Sequence, residues 1–197
     1  MSERATVPYG FWPSDWSAES AAAACGDFTE LRAGHGGLFW IAYDPGEARC
    51  SLWYWRDGGA RCLTPVGYEY GGGAFCLTAQ GIAFVNEADQ QIHLQSLTAD
   101  GSISPPTSLT FNGNCRYGGL HLDSRGAAIL AVEEDHAQQP VRHRIVSIAL
   151  ADGARRVVAE GADFYSSPVT SSQGDRLAWI QWNRPEQPWT STSLWLA

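Results

Sequence analysis

The feature that most constrains this chain is a short step, one aromatic residue followed by two small ones, that returns at a nearly fixed interval. It stands as Tyr70-Gly71-Gly72, Tyr117-Gly118-Gly119 and Tyr165-Ser166-Ser167, and its tyrosines are 47 and 48 residues apart. Each Tyr lies 12 residues ahead of an apolar run: "IAFVNEAD" from Ile82, "ILAVEEDH" from Ile129 and "LAWIQWN" from Leu177. A fourth run, "LFWIAYD", begins at Leu38, with only Asp27-Phe28 in place of the step. The fourth position of every run is β-branched: Ile41, Val85, Val132 and Ile180. Several short strands repeating over roughly 45 residues are the pattern of a propeller blade.

The internal layout of each unit agrees. A second strand follows each run ("CSLWYW", "QIHLQSL", "RIVSIAL", "SLWLA"), and the first three units add another short one ("RCLTP", "TSLTF", "RRVVA"). Turn chemistry separates them, in "DPGE", "RDGG", "TADGS", "DSRG", "LADG" and "SSQGD". In "LAWIQW" both alternating faces are apolar, Leu177 and Trp179 on one, Ala178, Ile180 and Trp182 on the other. A sandwich strand keeps one face polar; a blade between two blades fills both. The small residues of the step suit an innermost strand, where blades crowd the axis, and the large aromatics suit the wedge further out.

The expected fold is therefore all-β: a partial β-propeller of four-stranded antiparallel blades. Three blades are complete and a fourth has three strands, at about 27–65, 66–112, 113–160 and 161–197. Residues 1–26 form an N-terminal segment with one short helix, in which Ser17 caps an Ala-rich run that Gly26 ends. A propeller usually needs four to eight blades, and an uncovered edge invites association. The expectation is a fragment of a longer propeller.

Composition excludes several classes. Hydrophobic residues make up 44% of the chain and charged residues 17%, which is globular rather than disordered. The net charge of −8 comes with no basic stripe, so nucleic acid is not an expected partner. No apolar run reaches about 18 residues, and "MSERATVPYG" has no signal-peptide core, which together predict a cytoplasmic protein away from membranes. Five Cys, an odd number with no C-x-x-C spacing, read as buried thiols rather than disulfides or a zinc site. No metal or cofactor is expected, because "EEDH" at Glu133–His136 alternates across strand faces and His35, His93, His121 and His143 add no ligand spacing.

Longer strings add a resemblance. "YGFWPSDWSAESAA" from Tyr9, "YEYGGGAF" from Tyr68, "DQQIHL" from Asp89, "RYGGL" from Arg116, "EEDH" from Glu133 and "GADFYSSPVTSSQGDRLAWIQWNRPEQPW" from Gly161 occur in this order. They resemble the N-terminal propeller of prolyl oligopeptidase-family serine peptidases, in the dipeptidyl aminopeptidase/acylaminoacyl peptidase-like branch. The chain departs from that pattern at Tyr68, where the family has His, at "SSQG" (Ser171–Gly174), where it has "SPDG", and at Thr190 after Trp189. The resemblance implies a C-terminal α/β-hydrolase domain that carries the catalytic residues while the propeller gates access to it. No G-x-S-x-G elbow occurs here, so no catalytic residue is assigned and the chain by itself is not called an enzyme. The alternative is a free-standing scaffold or ligand-binding propeller that forms a homo-oligomer through its open blade edge.

Candidate substrate-binding residues follow from the inner step: Glu69 and Tyr70, Arg116 and Tyr117, Asp163 and Tyr165. Glu69 could meet the cationic amino terminus of a peptide; pairing with Arg116 or capping a turn is the favoured reading. Arg116 and Asp163 occupy equivalent points of successive units, which suits either an interblade salt-bridge ring or a site for a zwitterionic peptide. "EEDH" reads as a turn-fixing cluster, Trp182 as core, and Trp189 as an open aromatic in a Pro-bounded loop.

Overall fold

Strand alternation puts the two faces of each central strand to different uses, and the architecture follows. The computed structural model describes residues 6–11, 13–23, 26–66, 73–98 and 100–197. After α1 (Ala18–Ala23), whose Ser20 N–H is capped by Ser17 Oγ at 3.0 Å, the described chain forms four antiparallel sheets. They are β1 (Asp27–Gly34) to β4 (Gly59–Val66); β5 (Phe75–Thr78), β6 (Gly81–Val85), β7 (Ile92–Ser96) and β8 (Thr107–Ser108); β9 (Cys115–Leu122), β10 (Ala128–Asp135), β11 (Arg142–Ala149) and β12 (Arg155–Glu160); and β13 (Phe164–Thr170), β14 (Leu177–Trp182) and β15 (Ser193–Leu196). In the first sheet β2 is Gly37–Asp44 and β3 is Arg49–Arg56. Strand order in every sheet is sequential, so each is a meander, and the sheets are successive propeller blades.

Three apolar cores lie between the four blades. Ile82 and Phe84 of β6 face back to Phe39, Ile41, Leu52 and Tyr54, while Ala83 and Val85 face forward to Tyr117, Ile129 and Ala131. In β10, Ile129 and Ala131 join that second core, whereas Leu130 and Val132 meet Tyr165, Leu177 and Trp179 in the third. The aromatic side chains stack within these layers: Phe39 on Tyr54 with centroids 4.5 Å apart, Trp179 on Trp195 at 6.1 Å. The end blades differ, because only one of their faces is covered. Trp40 and Trp53 stack on the free face of the first blade, and Ile180, Leu194 and Leu196 occupy that of the fourth. Leu194 is 78% exposed and Leu196 65%, so the second apolar face of "LAWIQW" is uncovered here.

The second unit's last strand is shorter than "TSLTF" suggests. β8 holds only two residues, because Thr110 leaves the ladder: its Oγ1 accepts the Ile92 N–H at 2.9 Å, and the Leu109 N–H turns to the Ile92 carbonyl. A side chain takes over the pairing that strand backbone would have made.

The small residues of the recurring step have a conformational role beyond their size. The register slips at the same place in the inner strands of the first, third and fourth blades, between Thr29 and Arg32, opposite Leu130/Val132, and between Ser166 and Val169. Each slip is a bulge with one residue in the left-handed region: Glu30 at φ 57°, Gly119 at 60° and Ser167 at 53°. The bulge bends the inner strand toward the axis, where it meets its neighbour. Leu120 N–H donates to the Gly73 carbonyl at 2.8 Å, and a Cβ on Gly73 would lie 2.6 Å from the Gly119 Cα. Gly73→Ala should therefore cost more than Gly126→Ala, which is equally left-handed but has open space around it. Both incur about 1–2 kcal/mol for the backbone; overpacking adds about 1–3 kcal/mol at Gly73 only. Urea unfolding of the two variants checks the order.

Candidate functional site on the inner rim

The first strand of a blade begins, and its second ends, at the same rim of the propeller, so the step residues and the β10–β11 turn are brought together. Glu69 and Tyr70 lie outside the described residues. The other four candidates divide by exposure. Tyr117 is 3% exposed and Tyr165 5%; both rings fill interblade cores. Burial raises both phenols, and the Tyr165 hydroxyl accepts the Ala162 N–H at 2.8 Å, closing the turn ahead of β13. Arg116 and Asp163 are exposed.

Asp163 is tied into its blade junction. Its N–H donates to Asn183 Oδ1 at 2.8 Å, and its Oδ2 accepts the Arg184 N–H at 2.9 Å. Its carbonyl accepts a hydrogen bond from His143 Nδ1 in the preceding blade. Among the described residues Arg116 and Asp163 do not pair with each other, so these two make no salt-bridge ring. Arg116 instead lies across from Glu134 in the β9–β10 ladder. Glu134 bridges two imidazoles, His136 Nε2 at 3.0 Å and His143 Nε2 at 3.4 Å. The His143 hydrogen bond, then that of His136, overcomes burial and holds the Glu134 carboxyl at about 2 instead of 4.5. Phe164 stacks on Trp182 at 5.4 Å, with the Arg184 guanidinium over its ring. Trp182 is thus half-buried against one aromatic neighbour, and Trp189 is 71% exposed.

The neighbouring carboxylate points the other way. Glu133 is completely buried and accepts hydrogen bonds from Arg155 and, at 3.2 Å, from Arg144, which also reaches Asp135 and Glu160. This network crosses β10, β11 and β12. It was invisible in "EEDH" because the arginines are supplied by two later strands. Glu30 was also missed, although a signal existed: it is a carboxylate at a bulge position filled by Gly119 and Ser167 in later blades. Its Oε1 accepts the N–H groups of Gly73 and Ala74 across the blade junction.

Two arrangements bear on catalysis. Ser108, His93 and Asp89 meet on the second blade, but Ser108 Oγ (3.4 Å) and Asp89 Oδ2 (2.9 Å) both approach Nε2. A proton relay needs the carboxylate on one ring nitrogen and the hydroxyl on the other. Among the described residues, no three His, Cys, Asp or Glu side chains gather as metal ligands. A cavity of about 790 Å³ opens at the junction of the first two blades and is lined by Asp27, Arg49, Cys50 and Glu87 among others.

No protein-family model and no curated protein matches the sequence. Solved structures do. A puromycin-hydrolysing peptidase of Mycobacterium tuberculosis is 29% identical with a TM-score of 0.76, over 98% of this chain and 33% of that one. A puromycin hydrolase is 25% identical with the same TM-score and coverage. The chain resembles the propeller of prolyl oligopeptidase-family peptidases. It spans about a third of the length of those two proteins. A fold-level likeness reaches TolB of Acinetobacter baumannii, 9% identical with a TM-score of 0.58, over 87% of this chain and 41% of that one. No helix among the described residues is long and apolar enough to cross a membrane.

Two predictions follow from the rim. Glu134, with its lowered pKa, contributes stability that is present above its unfolded value near 4.5 and is lost as pH falls toward 2. Glu134→Gln should remove that component, so the stability gap between wild type and variant should shrink through this window in a pH series of urea melts. Glu133→Gln should cost about 3 kcal/mol or more, because it strands two arginines that now share a buried carboxylate. Arg155→Met should cost less, since Arg144 still neutralises Glu133; thermal unfolding separates the two.

Proposed function

We propose that this chain is the noncatalytic propeller portion of a serine peptidase of the prolyl oligopeptidase family, of the dipeptidyl aminopeptidase/acylaminoacyl peptidase type, acting in the cytoplasm. The propeller covers a C-terminal α/β-hydrolase domain, admits short peptides and excludes folded proteins. The observation that carries this reading is the likeness along 98% of the chain to a puromycin-hydrolysing peptidase at 29% identity. The one meeting of Ser, His and Asp among the described residues, with its single shared ring nitrogen, is consistent with chemistry done elsewhere. In this reading the exposed Arg116 and Asp163, with Glu69, present charge to a passing peptide. Tyr117 and Tyr165 set the shape of the rim by packing.

A second reading, a free-standing propeller that pairs with another copy, is favoured by the uncovered apolar faces of the first and fourth blades. Sedimentation of the isolated chain addresses it: a stable dimer supports pairing, and a monomer across the concentration range does not.

The gating reading is tested with a panel of short fluorogenic peptides and acyl-amino acid substrates, alongside a serine-reactive probe. Hydrolysis and labelling are expected from the polypeptide that includes the hydrolase domain and from none of the 197-residue chain alone. Labelling of this chain by itself would contradict a noncatalytic role.

A further inference from the structure

The axial wall of the propeller holds side-chain donors that, among the described residues, make no hydrogen bond. A pocket of about 400 Å³ is formed there by the inner strands β1, β5 and β9. Its lining is mostly Leu and Ala, interrupted by Arg32, Cys76 and His121. The Arg32 side chain is 43% exposed and lies over the Phe75 ring at 5.4 Å. Glu30 Oε2 is 3.7 Å from its guanidinium, too far for a hydrogen bond, and the other oxygen of that carboxylate is already committed to Gly73 and Ala74. Among the described residues neither the Arg32 fork nor the His121 ring makes a hydrogen bond.

Such a pair suits one ligand chemistry. A guanidinium offers parallel N–H groups that match the two oxygens of a carboxylate, and an apolar wall strengthens that attraction by excluding water. Burial first, and then the nearby Arg32 charge, lowers the His121 pKa, while Asp123 opposes the shift. His121 is thus a neutral imidazole with one N–H to donate. Burial pushes the Cys76 thiol up to about 12, so it brings no competing negative charge. No carboxylate lines the pocket among the described residues.

We propose that Arg32 and His121 form a carboxylate-binding site on the axial wall that takes the C-terminal carboxylate of a short peptide. The carboxylate lies in the plane of the Arg32 fork and accepts a further hydrogen bond from His121. The identity of the ligand as a peptide rests on the gating reading; the site itself rests on the geometry alone.

The test uses this chain and the His121 ring resonances, assigned by their loss in His121→Asn. Triglycine, triglycine amide and acetate are titrated separately. Triglycine should shift the His121 signals with a dissociation constant in the millimolar range, about −4 kcal/mol, and should raise the His121 pKa. The amide should do neither. Arg32→Gln should weaken triglycine binding at least about tenfold, with Arg32→Lys intermediate and the amide fingerprint of both variants unchanged. Acetate binding as tightly as triglycine would overturn the peptide assignment and leave a general carboxylate site. No change at His121 with any of the three, or the same change in Arg32→Gln, would overturn the site. Because no hydrolysis is measured, these outcomes are separate from success or failure of the gating reading.

Discussion

The contact on which the rest of the structure depends is the approach of one inner strand to the next at the axis. Gly73 and Gly119 meet with no room for a methyl group between them, and the Gly73 carbonyl accepts the Leu120 N–H. That closeness sets the wedge angle between blades. Once it is set, the faces of the middle strands meet apolar neighbours on both sides, and the three cores fill outward with Phe, Tyr and Trp. The bulge that makes the approach possible carries a left-handed residue in the first, third and fourth blades, which selects for glycine, or for a residue held by its surroundings. Glu30 is held in that way, by the two N–H groups across the junction.

Charge follows the same geometry. Adjacent carboxylates in β10 lie on opposite faces of the third blade. Glu133 turns inward to an arginine pair, and Glu134 turns to the imidazoles that reach the fourth blade through the Asp163 carbonyl. A run that looks like one acidic cluster in the sequence is two separate ties, one across the strands of the third blade and one from that blade to the fourth. The tie at Asp163 explains why that residue, although exposed, is less a free charge than a staple between a loop and its neighbours.

Much of the fold was legible because it repeats. Four β-branched positions at a common offset, and three aromatic–small–small steps, fixed the blades and the inner strand without any coordinate. The capped helix at Ser17 could be read from local chemistry alone. What could not be read depended on partners far away in sequence. The Thr110 hydroxyl that ends β8, the arginines that reach Glu133, and the donors of Arg32 left open on the axis are properties of neighbours that only the folded chain supplies. The step itself was read as a matter of size; its left-handed backbone needs φ angles, which Ser166-Ser167 does not announce. For the candidate site, Arg116 and Asp163 left two readings open, a salt-bridge ring or a site for a zwitterionic peptide, and the ring took no account of the backbone donors that Asp163 already serves.

The central claim is that stability resides in the junctions between blades, so that the second and third blades, packed on both faces, hold the first and fourth. Native-state amide hydrogen exchange measures this directly, since protection reports the free energy of opening strand by strand. The account predicts the slowest exchange in β6 and β10, with clearly faster exchange in β2 and β14, whose outer faces are uncovered. Equal protection across all four blades, or strongest protection in an end blade, would contradict it.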